Sequence, residues 1–388
     1  MRNKKDLLSF ASTDPFTYVV AHIEDRRDLA RLAAAHPTLR DAVGSVVLPA
    51  DVPVVLSAKE VISVLARDEA AQAGFWNSLK NVTMLTLQES GVWKQADRQR
   101  LWDAVQAHLP LARLTELDVS SFSLGFDVWT VLLSGLSRIT ALKARLELHE
   151  TFDWEGGGGL VEQLAALPLA HLVLAVDSSL GFPVSFVASL HRLRPALESL
   201  ELHWDGHDWY DEDEDEWAPS TGEILAAARG LPLTGLSVPA ITDGELAQLQ
   251  GMPLESLSVG ETGGEMDTFS DGGLAVLGTL SRSLTSLRLE LHPGITDDGL
   301  TFLSELPRLR ELSLVLHGAE WITNDTLTRV RGILTLEDVS LFVYSASRVT
   351  NLGLKELSEA FLSKKCYIED ERGGYWCDGC GAWHEYEG

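Results

Sequence analysis

The residues best suited to chemistry lie near the end of the chain, where all three cysteines of the 388-residue sequence occur. Cys377 and Cys380 are three positions apart with glycines beside them, His384 follows four positions later, and Cys366 precedes them. Three thiolates and an imidazole can close a tetrahedral zinc site, which leaves no open position for catalysis. We therefore predict a structural zinc site formed by Cys366, Cys377, Cys380 and His384. The alternative is a tail with free thiols.

No other set of reactive side chains has the spacing of a catalytic site. Four Leu-x-Leu-His segments end in His149, His203, His292 and His317, but two of them are shifted by two residues relative to the repeat described below. The glycine run at 156–159 is not followed by the Lys-Ser/Thr pair of a phosphate-binding loop. Because no Ser-His-Asp set or pair of carboxylates stands out either, we predict a protein that is not an enzyme.

The most acidic segment, residues 205–217, indicates a different activity, which is the binding of a basic partner. Eight of its thirteen residues are Asp or Glu, and repulsion among them disfavours a helix or strand, so we predict an inserted loop. Trp209 and Trp217 would supply aromatic anchors, while the charge would steer a basic protein towards the loop. The alternative interpretation is a solvated excursion without a partner.

The charge of the whole chain favours the same class of partner. Lys and Arg total 31 and Asp and Glu total 57, which gives a formal net charge of -26. Such an acidic surface repels phosphate backbones and anionic lipids, so we exclude nucleic acids and membranes as partners and expect basic proteins. The sequence has no run of about 18 apolar residues and no apolar signal segment at its start. With so few cysteines, we expect an intracellular protein, cytoplasmic or nuclear.

A repeat supplies the framework that must position these residues. An apolar residue, two variable residues and then apolar-x-apolar recur about ten times, and the alternating half predicts a short strand with one buried face. The copies lie at residues 82–87, 114–119, 142–148, 169–174, 197–202, 233–238, 254–259, 284–289, 309–314 and 336–341.

A second motif, of the form Ile-Thr-Asp-x-Gly-Leu, lies between the later strands. The leucines that end its copies are 28, 26, 27 and 27 residues apart, at Leu246, Leu274, Leu300, Leu327 and Leu354. Thr, Ser or Asp supplies an oxygen for the N-cap of a helix, and the acidic residues after it interact favourably with the helix dipole. One strand and one helix bury only part of their apolar surface, so the units must stack on one another.

The two motifs together resemble leucine-rich repeats of the cysteine-containing type, which are best known in F-box proteins. The resemblance implies an α/β leucine-rich-repeat solenoid, or horseshoe, of about ten strand–helix repeats over residues 46–362. The acidic loop would be inserted in it at 205–217, and a zinc-knuckle tail would follow at 363–388. Outward strand residues would bind a client, and their mostly acidic character favours a basic one. These partner-binding residues are Glu116, Asp118, Glu201, Arg288, Glu311 and Asp338.

The N-terminal segment, residues 1–45, resembles a degenerate F-box. Pro15, the triplet Arg27-Asp28-Leu29 and residues 35–40 correspond to the proline, the Arg-Asp-Leu and the Val-Cys-x-x-Trp-Arg of that motif. The resemblance implies a substrate receptor of a Skp–cullin–F-box ubiquitin ligase, in which this segment binds the adaptor subunit. The adaptor contacts would be Pro15, Val19, Ile23 and Leu29. The alternative is a helical cap that covers the first repeat of a ligase-independent scaffold or inhibitor.

Overall fold

A computed structural model describes most of the chain beyond residue 52. The described residues are 53–66, 69–89, 95–147, 158–177, 182–193, 196–204, 220–260, 269–280, 282–344, 348–361, 364–370, 374–377 and 382–385. The F-box-like segment, with Pro15, Val19, Ile23 and Leu29, lies outside them. So does the acidic segment, with Trp209 and Trp217.

Short strands recur along the described chain. They are β1 (Val54–Ser57), β2 (Met84–Gln88), β3 (Glu116–Leu124), β4 (Ala141–Glu147), β5 (His171–Asp177), β6 (Ser199–Trp204), β7 (Leu233–Val238), β8 (Ser256–Val259), β9 (Ser286–Leu291), β10 (Glu311–His317), β11 (Asp338–Tyr344), β12 (Lys365–Asp370), β13 (Gly374–Cys377) and β14 (Ala382–Glu385).

Helices alternate with these strands, as the repeat requires. They are α1 (Ala58–Leu65), α2 (Glu69–Ser78), α3 (Gln95–His108), α4 (Phe126–Gly135), α5 (Gly158–Ala165), α6 (Val184–Ser189), α7 (Thr221–Ala228), α8 (Asp243–Leu246), α9 (Asp271–Leu274), α10 (Asn324–Gly332) and α11 (Asn351–Ala360). Short 3-10 helices lie at Leu111–Arg113, Leu190–Leu193, Ala247–Leu249, Ala275–Leu280 and Gly299–Glu305. Every helix within the described ranges is too short or too polar to cross a lipid bilayer.

The chain divides into two compact units. The first contains β1 to β4 and the start of β5, and its strands β1 to β4 pair in parallel in chain order. The second contains β6 to β14. Its strands β6 to β12 also pair in parallel and in chain order, whereas β13 and β14 add to β12 as an antiparallel hairpin.

The leucines of the repeat stack in rows that form the core of the second unit. Leu257, Leu287, Leu312, Val339 and Cys366 are successive Cα partners across β8 to β12, and all are at most 2% exposed. A parallel row of buried residues runs two positions further along the same strands, from Val259 to Ile368. No single repeat could exclude water from these side chains, so each repeat is stabilised by the repeats next to it.

The leucine-rich-repeat fold predicted from the sequence is confirmed, and each of the ten leucine motifs contains or overlaps a strand from β2 to β11. Two parallel strands were not predicted. Strand β1 begins at Val54, before the first of the ten leucine motifs, and β12 lies beyond the predicted last repeat. In β12, Cys366 and Ile368 occupy the buried positions that leucines hold elsewhere, so the leucine pattern does not reveal it.

Candidate functional site

The outward face of β8 to β12 carries two rows of polar side chains. The first row of Cα partners is Ser256, Ser286, Glu311, Asp338 and Lys365. The second row lies two positions further along the strands and contains Ser258, Arg288, Ser313, Ser340 and Tyr367. Because side chains alternate between the two faces of a strand, these rows lie on the face opposite to the buried leucines.

A shallow cavity of about 410 Å³ opens on this face. Five serines line it, at 256, 258, 286, 313 and 340, together with Arg288, Glu311, Asp338 and Phe342. We call it the serine cavity. It brings together three of the six outward residues that the sequence predicted to bind a partner, namely Arg288, Glu311 and Asp338. The serines and Phe342 were not predicted, although their positions relative to the repeat leucines would have identified them as outward.

Two charged side chains at the serine cavity have no polar partner among the described residues. Arg288 and Glu311 are both exposed, and neither side chain makes a hydrogen bond or an ion pair with a described residue. Asp338 differs, since the Nζ atom of Lys365 lies 3.7 Å from its Oδ2 atom. The site therefore presents one available cation, one available anion and one solvated ion pair.

Two of the other predicted partner-binding residues, Asp118 and Glu201, have polar neighbours within their own strands. Asp118 accepts hydrogen bonds from the backbone N–H and the hydroxyl of Ser120, at 3.0 and 2.7 Å, and is the Cα partner of Lys143. Glu201 lies 3.1 Å from the Nε2 atom of His203. Glu116 is exposed at the start of β3. Lys143 and His203 therefore stand beside acidic outward residues on these strands.

Aromatic and ionisable side chains lie beside the serine cavity. The ring of Phe342 lies 5.4 Å from that of Tyr367, whose hydroxyl donates to Glu369 at 2.8 Å. Further along β10 and β11, the His317 ring stacks on Tyr344 at 4.7 Å, and its Nε2 atom lies 2.6 Å from Oε1 of the buried Glu290. These contacts add apolar and hydrogen-bonding surface to one end of the site.

Side chains at the start of the helices form hydrogen bonds between successive repeats of the second unit. In the segments that follow β7, β8, β9 and β10, an Asp or Asn accepts a hydrogen bond from the backbone N–H of a Ser or Thr in the next repeat. The pairs are Asp243 with Ser270, Asp271 with Thr296, Asp297 with Thr323, and Asn324 with Thr350, at 2.7 to 3.0 Å. The three aspartates also accept from the hydroxyl of the same residue at 2.6 Å. We call this series the cap ladder, and it joins successive repeats.

The glycine of the Ile-Thr-Asp-x-Gly-Leu motif makes this close approach possible. A Cβ atom on Gly299 would overlap the carboxylate of Asp271, with its Cγ only 2.6 Å away, and Gly353 is similarly placed against Asn324. At the equivalent position of another repeat, Thr326 replaces the glycine and donates a hydrogen bond to Asp297 at 2.5 Å. Burial raises the pKa of Asp297, but hydrogen bonds from Thr323 and Thr326 outweigh it, so the pKa lies below its usual value.

The described residues of the predicted zinc site lie on three different strands. Cys366 is 1% exposed in β12, while Cys377 belongs to β13, His384 belongs to β14, and Cys380 lies outside the described residues. Pairing of Ile368 with Trp376 and of Cys377 with Ala382 brings the backbones of the three strands side by side. Their thiol and imidazole donors are of the kinds that zinc prefers, although Cys366 belongs to a buried hydrophobic row. The zinc site stays a prediction.

Comparison with known proteins identifies the fold. No family model matches the chain, and no similar protein was found among curated sequences. Among solved structures, a chain of the yeast Rad7 and Elc1 complex is similar over 90% of this chain and 77% of its own length, with 16% identity and a TM-score of 0.51. The leucine-rich repeat-containing protein LegL7 from Legionella pneumophila is similar over 78% of this chain and 93% of its own, with 19% identity and a TM-score of 0.38. The fold is a leucine-rich-repeat solenoid.

Proposed function

We propose that this protein is a protein-binding module that acts as a substrate receptor of a Skp–cullin–F-box ubiquitin ligase. In this proposal residues 1–45 bind the ligase adaptor through Pro15, Val19, Ile23 and Leu29. The outward face of the repeats binds the client. The formal net charge of -26 favours a client that is basic overall.

The observation that carries the proposal is the serine cavity on the outward face. Its charged residues Arg288 and Glu311 stand on neighbouring strands whose buried sides hold them in a fixed register. A binding surface on strands needs little rearrangement when a partner arrives, so less of the interaction energy is lost to ordering. The chain similar in fold that was crystallised as the Rad7 and Elc1 complex gives a precedent for assembly with a second protein.

A ligase-independent scaffold or inhibitor is the second candidate. It would use the same outward face, and residues 1–45 would cover the first repeat instead of binding an adaptor. The two proposals differ in the effect of changing apolar residues in that segment. In a receptor the change abolishes adaptor binding and leaves the repeats folded, whereas in a capped scaffold it destabilises the repeats.

The test is a pull-down of purified full-length protein against the adaptor subunit of F-box ligases, with Elc1 as a second bait. The variant Val19→Asp with Ile23→Asp removes the proposed apolar contacts, and Thr17→Ser in the same segment is the matched control. We expect the wild type and the control to bind an adaptor and the double variant to lose binding with an unchanged thermal midpoint. If no form binds either bait and the double variant melts earlier, the scaffold is the better description.

A further inference from the structure

Arg288 and Glu311 form a pair of opposite charges that do not neutralise each other. Both side chains are exposed at the serine cavity, and they make no ion pair with one another or with other described residues. A client segment of a single charge would be attracted by one of them and repelled by the other. The charges at this cavity therefore favour a segment that carries both signs.

The register of β9 and β10 determines how far apart those two charges must be. Glu311 is the Cα partner of Ser286 and Ser313 is the partner of Arg288, so Arg288 and Glu311 are diagonal neighbours one strand and two residues apart. Strands about 4.8 Å apart with a rise of about 3.3 Å per residue place their Cα atoms roughly 8 Å from each other. Side chains two positions apart on one side of an extended peptide are separated by about 6.7 Å, which side-chain reach can match.

The serines make the cavity accessible to such a segment. Ser258 and Ser313 flank Arg288 on the two neighbouring strands, and Ser286 precedes it on its own strand. Their side chains are short enough for a peptide to approach the sheet, and their hydroxyls can donate to a carboxylate held by the guanidinium. On the other side of the cavity, Asp338 lies beside Glu311 but is already close to Lys365, so Glu311 is the available acceptor for a cation.

We infer that the serine cavity binds an extended peptide segment with an acidic and a basic side chain two positions apart. The acidic side chain contacts Arg288 and the adjacent serine hydroxyls, while the basic side chain contacts Glu311. This inference rests on the proposed protein-binding function and specifies the part of the client that reaches the sheet. The client remains basic overall, and its docking segment carries one carboxylate.

A peptide array probed with the purified full-length protein tests this assignment. Short synthetic peptides in a Gly/Ser background carry a Lys–x–Glu or Glu–x–Lys pair, a Lys–x–Lys pair, a Glu–x–Glu pair or no charge. The proteins compared are the wild type, Arg288→Glu and Glu311→Lys. Arg229→Glu, at the end of α7, and Glu305→Lys, in a 3-10 helix, are matched charge controls in the helical layer.

We expect the wild type and both controls to prefer the mixed peptides about tenfold over either single-charge class. Arg288→Glu leaves no available cation at the cavity, so its preference shifts to Lys–x–Lys peptides, and Glu311→Lys shifts the preference to Glu–x–Glu peptides. A fold defect would weaken binding to all classes and would not reverse the preference between them.

Three results would overturn the inference. The first is a wild type that prefers Lys–x–Lys peptides, which leaves the proposal of a basic client intact. The second is a wild type that binds no charged class above the neutral one. The third is a preference that the two cavity variants and the two controls share. Adaptor binding by residues 1–45 is measured separately, so the receptor proposal stands or fails independently of all three.

Discussion

The contact between Gly299 and Asp271 allows a sharp test of how the repeats are joined. Asp271 accepts hydrogen bonds from the N–H and the hydroxyl of Thr296 at 3.0 and 2.6 Å. A Cβ atom on Gly299 would lie 2.6 Å from Cγ of Asp271 and 3.1 Å from its Cα. The substitution Gly299→Ala must therefore push the carboxylate away and break its bonds to the next repeat.

The size of the effect follows from the interactions that are lost. A hydrogen bond to a charged group contributes about 1.5 to 3 kcal/mol before solvent replaces part of it, and Asp271 accepts two such bonds from Thr296. Alanine regains up to about 1 kcal/mol of helix propensity over glycine. We therefore expect Gly299→Ala to lower the free energy of unfolding by about 2 kcal/mol. Gly244→Ala, where a Cβ atom meets nothing within 4 Å, should be neutral or slightly stabilising.

A double-mutant cycle isolates the contact from other effects. Asp271→Ala alone should cost about 2 kcal/mol, and adding Gly299→Ala to it should cost little, because the carboxylate that the Cβ atom would displace is absent. Urea unfolding of the full chain, followed by circular dichroism and tryptophan fluorescence, gives the four free energies. Additive costs for the two substitutions, or an equal cost for Gly244→Ala, would refute the proposed contact.

Two further predictions concern pH and metal. Because the pKa of Asp297 is held below its unfolded value of about 4, its contribution to stability is present above that pH and is lost as the pH falls through the folded pKa. The wild type should therefore lose more of its urea midpoint than Asp297→Asn between about pH 5 and pH 2, and equal losses would contradict the hydrogen-bond account. For the C-terminus, elemental analysis should find about one zinc per chain in the wild type and none in Cys377→Ser with Cys380→Ser. A wild type without zinc after purification from zinc-supplemented medium would instead indicate free thiols.

The repeat leucines predicted the fold because their burial is the reason for the repeat. Leu287, Leu312 and Val339 stack as Cα partners, so a residue that fails to be apolar there would open the core of three repeats. Strand β12 could not be found in this way, since Cys366 and Ile368 fill the same rows without leucine. The hydrophobic pattern reveals a strand only while the residue types follow the consensus.

Only part of the cap ladder could be predicted from the sequence. The N-cap role predicted for Thr or Ser is confirmed, for example in Thr350, whose Oγ1 accepts from the N–H of Gly353. The aspartate that follows was assigned to the dipole of its own helix, but Asp243 and Asp271 accept hydrogen bonds from the next repeat. A contact between residues about 26 positions apart depends on the stacking of repeats, which one motif by itself does not encode.

The sequence also predicts the charges on the outward face only in part. Glu311 and Asp338 were predicted as part of an acidic surface because the sequence identifies outward residues strand by strand. Their charged neighbours become known only once the strands are in register, since Lys365 lies opposite Asp338 and Arg288 lies diagonal to Glu311. Net charge predicts the sign of a distant partner, whereas the contact itself depends on which charges are adjacent.

The stability of the repeats and binding at the serine cavity are linked through the register of β9 and β10. Asp271 and Gly299 belong to the segments after β8 and β9, which lead into the strands that carry Arg288 and Glu311. The cap ladder therefore joins the same repeats whose outward strand residues form the serine cavity. The diagonal pair Arg288 and Glu311 is selective only while its spacing is fixed. The close approach that glycine allows between successive repeats therefore supports recognition on the outward face of the strands.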